Sequence, residues 1–351
     1  MALGSLSAVD GLVRLSEVVR SGRVESIHFG AAVVSDASGS ILASAGPPSL
    51  GTYLRSAAKP VQLLTMLEVG LQRHLRLTDE ELAVAAASHG GETGHVATVR
   101  ALLNRAGLGE DLLRCGASAP LDGIAHEALL RAGESVSSIH NNCSGKHAAM
   151  LITCKANDWP LDSYLEPDHP LQLRIAAKVS EFAGEAAAVG VDGCGVPTFY
   201  LPLVGGARAV ATLMERAEDG GEAGRVVVAM TTRPWFTSGT HRLAFRLMSL
   251  VPGLLAKEGA EGYFVVGIPR NRSPWGRAVG LAVKVIDGGG EGVRGREPAV
   301  ASALLSLGVA RPGEEHGLKE LSRAAVVNAA GREVGEIRGL LGMDSLLGAS
   351  G

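Results

Sequence analysis

The chain reads as an α+β protein. One mostly antiparallel sheet, assembled from both ends of the sequence, is backed by helices, and the middle supplies a helical lobe. Three observations predict this. Turn-punctuated β-forming segments cluster near residues 25–45 and again beyond 262. Segments with helically spaced apolar residues fill the interval from about 57 to 250. The strand–helix alternation that a parallel doubly wound sheet requires does not run along the chain. The expected organisation is one domain, 1–351, with a sheet lobe from about 1–56 and 251–345 and a helical lobe from about 57–250.

Element by element, residues 1–24 read as a short amphipathic helix. Glu25–Val34 is rich in β-formers, Asp36-Ala37-Ser38-Gly39 is a turn, and Ile41–Ala45 returns, so this stretch is a hairpin. Thr78-Asp79-Glu80-Glu81 is a capping box ahead of Leu82–Ala87. Glu92–Ala106, Gly123–Ala132, Ser144–Ala156 and Pro170–Ala183 read as helices, with Pro170 at a first helical position. Gly262–Ile268 and Ala278–Ile286 read as strands, Pro298–Leu307 as a helix, and Glu333–Arg338 as a last strand after the turn Ala329–Arg332. Asp219-Gly220-Gly221 and Gly288–Gly290 read as surface loops.

Composition removes whole classes. An apolar fraction of 46% with a net charge of −3 excludes general disorder and gives no bulk pull toward nucleic acid or anionic lipid. No apolar run approaches the ~20 residues of a membrane helix. Residues 1–24 lack the basic start, apolar core and small-residue cleavage site of a secretory signal. Four cysteines (Cys115, Cys143, Cys154, Cys194) in 351 residues are too few for a disulfide framework, so a reduced, cytoplasmic protein with free or metal-bound thiols is expected.

Three constellations could carry chemistry. In Arg55-Ser56-Ala57-Ala58-Lys59-Pro60, Ser56 and Lys59 lie one turn apart on one helix face, and Pro60 requires the helix to begin near Ser56. Amide donors at that helix start favour negative charge, and a desolvated lysine can act as base toward a hydroxyl. The S-x-x-K pattern is common by chance, and alone it reads as a serine N-cap beside a solvated lysine. Ser88-His89-Gly90-Gly91-Glu92-Thr93-Gly94-His95 crowds polar groups into a glycine turn between two helices, which a plain pair of C-capping glycines does not explain. In His140–His147, Cys143 precedes a helix whose N-terminus would stabilise its thiolate. Asp192-Gly193-Cys194-Gly195 offers a second thiol in a polar loop. Two thiolates with a lysine or histidine could hold zinc; two unliganded thiols lining a cleft fit the same spacing. Cys154 on an apolar helix and Cys115 at a helix end read as packed thiols. Lys257, by itself, is a solvated turn lysine before the strand at Gly262.

Taken together and in order, RSAAKPVQ, SHGGETGHV, HNNCSGKHAAML and DGCGVPTF resemble the asparaginase II family, of the rhizobial inducible L-asparaginase type. The resemblance runs from Val24 to about residue 340. It implies a fold similar to serine β-lactamases and glutaminases, hydrolysis of L-asparagine to L-aspartate and ammonia, and a homodimer. It implies two Ser–Lys pairs, matched by Ser56 with Lys59 and by Ser88 with Lys257, the last match lifting Lys257 out of its plain reading. It also implies a zinc site matched by Cys143, Lys146 and Cys194, with Arg55, His147 and Asp192 as substrate-binding residues. Ile27-His28-Phe29 and Gly90 depart from the pattern expected of relatives, which bears on substrate preference. On this reading Ser56 is the nucleophile, Ser88 a relay or the alternative nucleophile, and zinc orients substrate. The competing readings are a glutaminase, a penicillin-type serine hydrolase, a zinc-dependent amino-acid-binding protein without catalysis, and a structural role for all these residues.

Overall fold

The structure is a computed structural model and describes residues 11–288 and 294–342. In chain order the elements open with strands β1 (Val13–Arg20), β2 (Arg23–Asp36), β3 (Ile41–Ala45) and β4 (Gly51–Tyr53). Helices α1 (Lys59–Glu68), α2 (Asp79–Ala85), α3 (Thr93–Arg105), α4 (Gly123–Arg131), α5 (Ser144–Ala156) and α6 (Pro170–Ala183) follow. Next come β5 (Ala188–Val191), β6 (Pro197–Pro202), α7 (Leu203–Glu218), α8 (Gly221–Thr232), α9 (Pro234–Ser238), α10 (Leu243–Leu250) and β7 (Leu255–Glu258). The chain closes with β8 (Tyr263–Ile268), β9 (Val279–Val285), α11 (Arg296–Ser306), α12 (Glu315–Ser322), β10 (Arg323–Val327) and β11 (Glu333–Gly339). This is the expected α+β class. The described residues form two compact units. One takes those up to Leu54, Leu201–Glu215 and those from Gly259 onward; the other takes Arg55–Tyr200 and Arg216–Glu258.

The first unit is an antiparallel sheet in the order β10-β11-β1-β2-β9-β8, with β3 also paired to β2. Its centre is apolar on both faces: Ala31–Val34 of β2 pair with Leu281–Lys284 of β9, and β8 and β9 are buried along their whole length. Close backbone approach seats α7 on this sheet, because a side-chain carbon at Gly280 would lie 2.0 Å from the Ala207 carbonyl oxygen. The sequence reading of a helix over residues 1–24 is corrected here. Val13–Arg20 is a strand paired on one side with β2 and on the other with β11, and residues 1–10 lie outside the described residues. Strand pairing from the far end of the chain overrides a weak helical pattern. Strand β10 and helix α12 were not expected from sequence, and the Gly288–Gly290 loop reading lies mostly outside the described residues.

The second unit is helical and holds all ten candidate residues. The capping box forms as read, with Thr78 Oγ1 accepting from the Glu81 amide and Glu81 Oε2 accepting from the Thr78 amide. Helices α5 and α6 begin and end where the sequence placed them. Gly145, in the first turn of α5, lets that helix approach α2, since a side-chain carbon there would sit 2.3 Å from the Val84 carbonyl oxygen. Cys115 does not end a helix; it follows a 3-10 turn at Glu110–Leu112 in irregular backbone. Among the described residues no helix is long and apolar enough to cross a membrane.

Candidate active site

The site begins at a sharp entry into α1. Arg55 takes a left-handed backbone conformation (φ 49°), and Arg55–Ala58 forms a 3-10 turn before the α-helix starts at Lys59. Pro60 in the first helical turn explains the delayed start, because a proline deeper in the helix would clash with the preceding turn. Ser56 therefore lies on the 3-10 turn, half-buried, and Lys59 opens the helix fully buried. Among the described residues no hydrogen bond joins Ser56 to Lys59.

Lys59 instead reaches the end of α2. Its Nζ donates to the Ala87 carbonyl, lies 3.1 Å from Ser88 Oγ, and approaches Cys143 Sγ at 3.2 Å. Lys257 comes from β7, 169 residues away from Ser88, and its Nζ lies 2.8 Å from the same hydroxyl and 3.1 Å from the Glu258 carbonyl oxygen. The plain reading of Lys257 as a solvated turn lysine is thereby overturned: it is on a strand and wholly buried. Ser88 Oγ thus sits between two buried amines. Burial pushes the Lys257 amine down from 10.5 to about 7, helped by the Lys59 and Arg242 charges and opposed by Glu258. A neutral amine can accept a proton, so near pH 7 the Ser88 hydroxyl can donate to Lys257 while accepting from Lys59.

A second cluster adjoins the first through the thiols. Cys143 stands at the N-cap position of α5, and its thiol is lowered well below the ordinary range by a hydrogen bond from the Cys194 thiol and by the Lys59 and Lys146 charges, with burial opposing. Cys194 is the protonated partner, raised by that hydrogen bond and by burial. Lys146 Nζ, fully buried, lies 3.1 Å from Cys194 Sγ. Burial works against its charge, but the negative charge of the coupled thiol pair together with Asp192 outweighs that and raises its proton affinity. Asp192 accepts from Arg55 Nε at 2.6 Å and from the Gly193 amide at 2.8 Å. Burial alone would raise its carboxyl, yet Lys146 and Arg55 hold it below the usual range.

His147 follows Lys146 on α5. It is fully buried, kept neutral by burial, and its Nδ1 meets the Tyr164 hydroxyl at 2.8 Å; that hydroxyl in turn accepts from the Arg114 amide. Sequence reasoning missed Glu258 and Arg242 beside Lys257. It also missed Trp235 and Thr240, which Glu92 holds by hydrogen bonds from Trp235 Nε1 (3.3 Å), the Thr240 amide (2.9 Å) and Thr240 Oγ1 (2.7 Å). Glu258 carried a weak signal, since it follows Lys257 directly; Trp235 and Thr240 carried none.

Among the described residues no group of three or more His, Cys, Asp and Glu side chains is placed to hold a metal ion. A metal here must therefore take its third donor from outside those types. The donor types fit zinc, provided binding displaces the protons of Lys146 and Cys194: two sulfurs and a lysine nitrogen lie together, out of solvent, and zinc prefers sulfur and nitrogen.

The L-asparaginase II family matches residues 16–339, nearly the whole chain. The chain belongs to the L-asparaginase II family. This is a family of amidohydrolases. No curated protein matches this asparaginase II chain. Among solved structures it is similar to Mglu, at 16% identity and a TM-score of 0.42, covering 74% of this chain and 61% of that one. It is also similar to a probable glutaminase from Bacillus subtilis complexed with 6-diazo-5-oxo-L-norleucine, at 13% identity and a TM-score of 0.35, covering 76% of this chain and 79% of that one. The asparaginase II chain spans about three fifths of the length of the Mglu chain.

Proposed function

We propose that this protein hydrolyses the side-chain amide of L-asparagine to L-aspartate and ammonia by serine–lysine catalysis. The observation that carries the reading is the Ser88 hydroxyl held between the Lys59 and Lys257 amines, the second of which burial makes neutral enough near pH 7 to accept a proton. In the proposed sequence a proton leaves Lys59, passes through Ser88, and rests on Lys257. Lys59, now neutral, takes the Ser56 proton as Ser56 Oγ bonds to the amide carbon. The two residues are one turn apart, and catalytic hydrogen bonds often tighten only when substrate is bound. The oxyanion forms at a helix start, where backbone amides favour it. The protonated Lys59 then delivers its proton to the leaving nitrogen, which departs as ammonia. Water attacks the Ser56 ester, gives its proton back along the same route, and releases aspartate.

Asp192 and Arg55 are proposed to bind the α-amino and α-carboxylate groups of the substrate, and His147 to support that wall through Tyr164. Cys143, Lys146 and Cys194 would hold zinc, which supplies positive charge for orienting the substrate. A second reading exchanges the serines. Ser88 becomes the nucleophile, favoured by its direct contact with both lysines, whereas Ser56 has the better access. The fold implied by the resemblance, like that of serine β-lactamases and glutaminases, accords with either assignment.

Ammonia release from asparagine and from glutamine, followed by trapping with a diazo-ketone analogue of asparagine and peptide mapping, tests the proposal. We expect turnover of asparagine and an adduct on the Ser56 peptide that Ser56→Ala abolishes. An adduct on Ser88 transfers the nucleophile's role. No ammonia from either amide overturns the reading.

A further inference from the structure

Buried lysine amines cost free energy unless something fixes them in place, and the mechanism above leaves one buried charge next to Lys257 unused. Glu258 is 1% exposed, and its Oε2 lies 3.6 Å from Lys257 Nζ. Its other oxygen is held: Oε1 accepts from Ser238 Oγ at 2.9 Å and from the Ala244 amide at 3.2 Å. Arg242 stands on the far side of this carboxylate, with Nε 3.3 Å from Ser238 Oγ and 3.8 Å from Glu258 Oε1. The carboxylate is therefore clamped from α9 and α10 and presents its second oxygen to the amine. From this geometry we propose that Glu258 is a positioning residue for Lys257, holding the amine against Ser88, with Arg242 as the opposing charge that limits its pull.

The inference rests on the reading of Lys257 as the proton acceptor. The charged groups that act on Lys257 are Glu258 on its own strand, Lys59 on α1, Arg242 at the start of α10 and Cys143 at the start of α5. Glu258 favours the ammonium and Arg242 disfavours it, so removing either charge has an opposite consequence. Loss of packing alone would not produce two displacements of opposite sign.

The experiment has two readouts on the full-length protein. One is the pH dependence of kcat/KM with asparagine. The other is an NMR titration of lysine side chains carrying nitrogen-15 at Nζ, with Lys257 assigned by comparison with Lys257→Met. In Glu258→Gln we expect both the acid limb and the Lys257 midpoint to move to lower pH by about one pH unit or more. In Arg242→Gln we expect both to move to higher pH by about half a unit. Glu258→Asp, which keeps the charge but shortens its reach, should fall between wild type and Glu258→Gln, and it serves if the glutamine variant does not fold. Midpoints that stay put, or that move the same way in both variants, overturn the proposal. An acid limb that survives Lys257→Met while the NMR midpoints move as expected instead overturns Lys257 as the acceptor and leaves the positioning role standing.

Discussion

Replacing Lys257 by methionine should stabilise the protein at low pH and stop doing so at high pH. The side chain keeps its length and volume but loses the amine. In the folded chain that amine is wholly buried and is lowered from 10.5 to about 7, chiefly by burial. Such a displacement corresponds to about 5 kcal/mol of differential stabilisation between its two protonation states. This is comparable to the whole net stability of many domains, about 5–15 kcal/mol. The sign follows from proton counting. Below pH 7 both folded and unfolded chains carry the proton, so the wild-type fold bears the full cost of a buried ammonium. Between pH 7 and 10.5 only the unfolded chain carries it, so folding releases a proton and wild-type stability rises with pH. The stability advantage of Lys257→Met should therefore be largest near pH 6 and shrink by about 1.4 kcal/mol per pH unit from 7 upward. The bonds to Ser88 and the Glu258 carbonyl that the variant loses add an offset independent of pH, so the slope is the diagnostic. Urea unfolding of both proteins at pH 6, 8 and 9.5, read by tryptophan fluorescence, measures it. A difference that stays flat across that range would refute the claim that a neutral amine is built into this fold.

Three further outcomes are expected. Gly145→Ala places a carbon against the Val84 carbonyl and should lower stability by about 1–3 kcal/mol, seen as a reduced Tm; an unchanged Tm would show that α5 and α2 can separate freely. Asp192→Asn removes the charge that pairs with Arg55, and since a hydrogen bond to a charged group contributes about 1.5–3 kcal/mol, KM for asparagine should rise roughly 10- to 100-fold with kcat less affected. An unaltered KM removes Asp192 from substrate binding. Treatment with a chelator should raise KM more than it lowers kcat, and Cys194→Ser should lose the zinc measured by elemental analysis; a complete, metal-restorable loss of kcat at saturating asparagine contradicts the orienting role.

Much of the architecture was legible because it is local. The hairpin at Arg23–Ala45, the capped start of α2, and helices α5 and α6 depend on turn residues, caps and spacing within a dozen positions. The first strand was misread for the complementary reason. Val13–Arg20 becomes a strand by pairing with β2 across the turn at Ser21-Gly22 and with β11, more than 300 residues later, and the second partner is invisible to local reading. The site divides the same way. The turn that presents Ser56 and Lys59, and the placing of Cys143 and Lys146 at the start of α5, are visible in short motifs. The sequence suggested that Lys59 faces Ser56; the fold aims it at Ser88 and Cys143.

By itself, then, the sequence determined the chemical types available and the helix starts that carry them: hydroxyls, amines and thiols at defined positions, in the order that resembles one family. The meeting of Lys59 and Lys257 at one hydroxyl, the contacts of Lys59 with Cys143 and of Lys146 with Cys194, and the clamp on Glu258 were decided only by the tertiary structure. An amine's affinity for a proton depends on how much water surrounds it and which charges face it. Those are set by packing between segments far apart in the chain, not by the residues beside it.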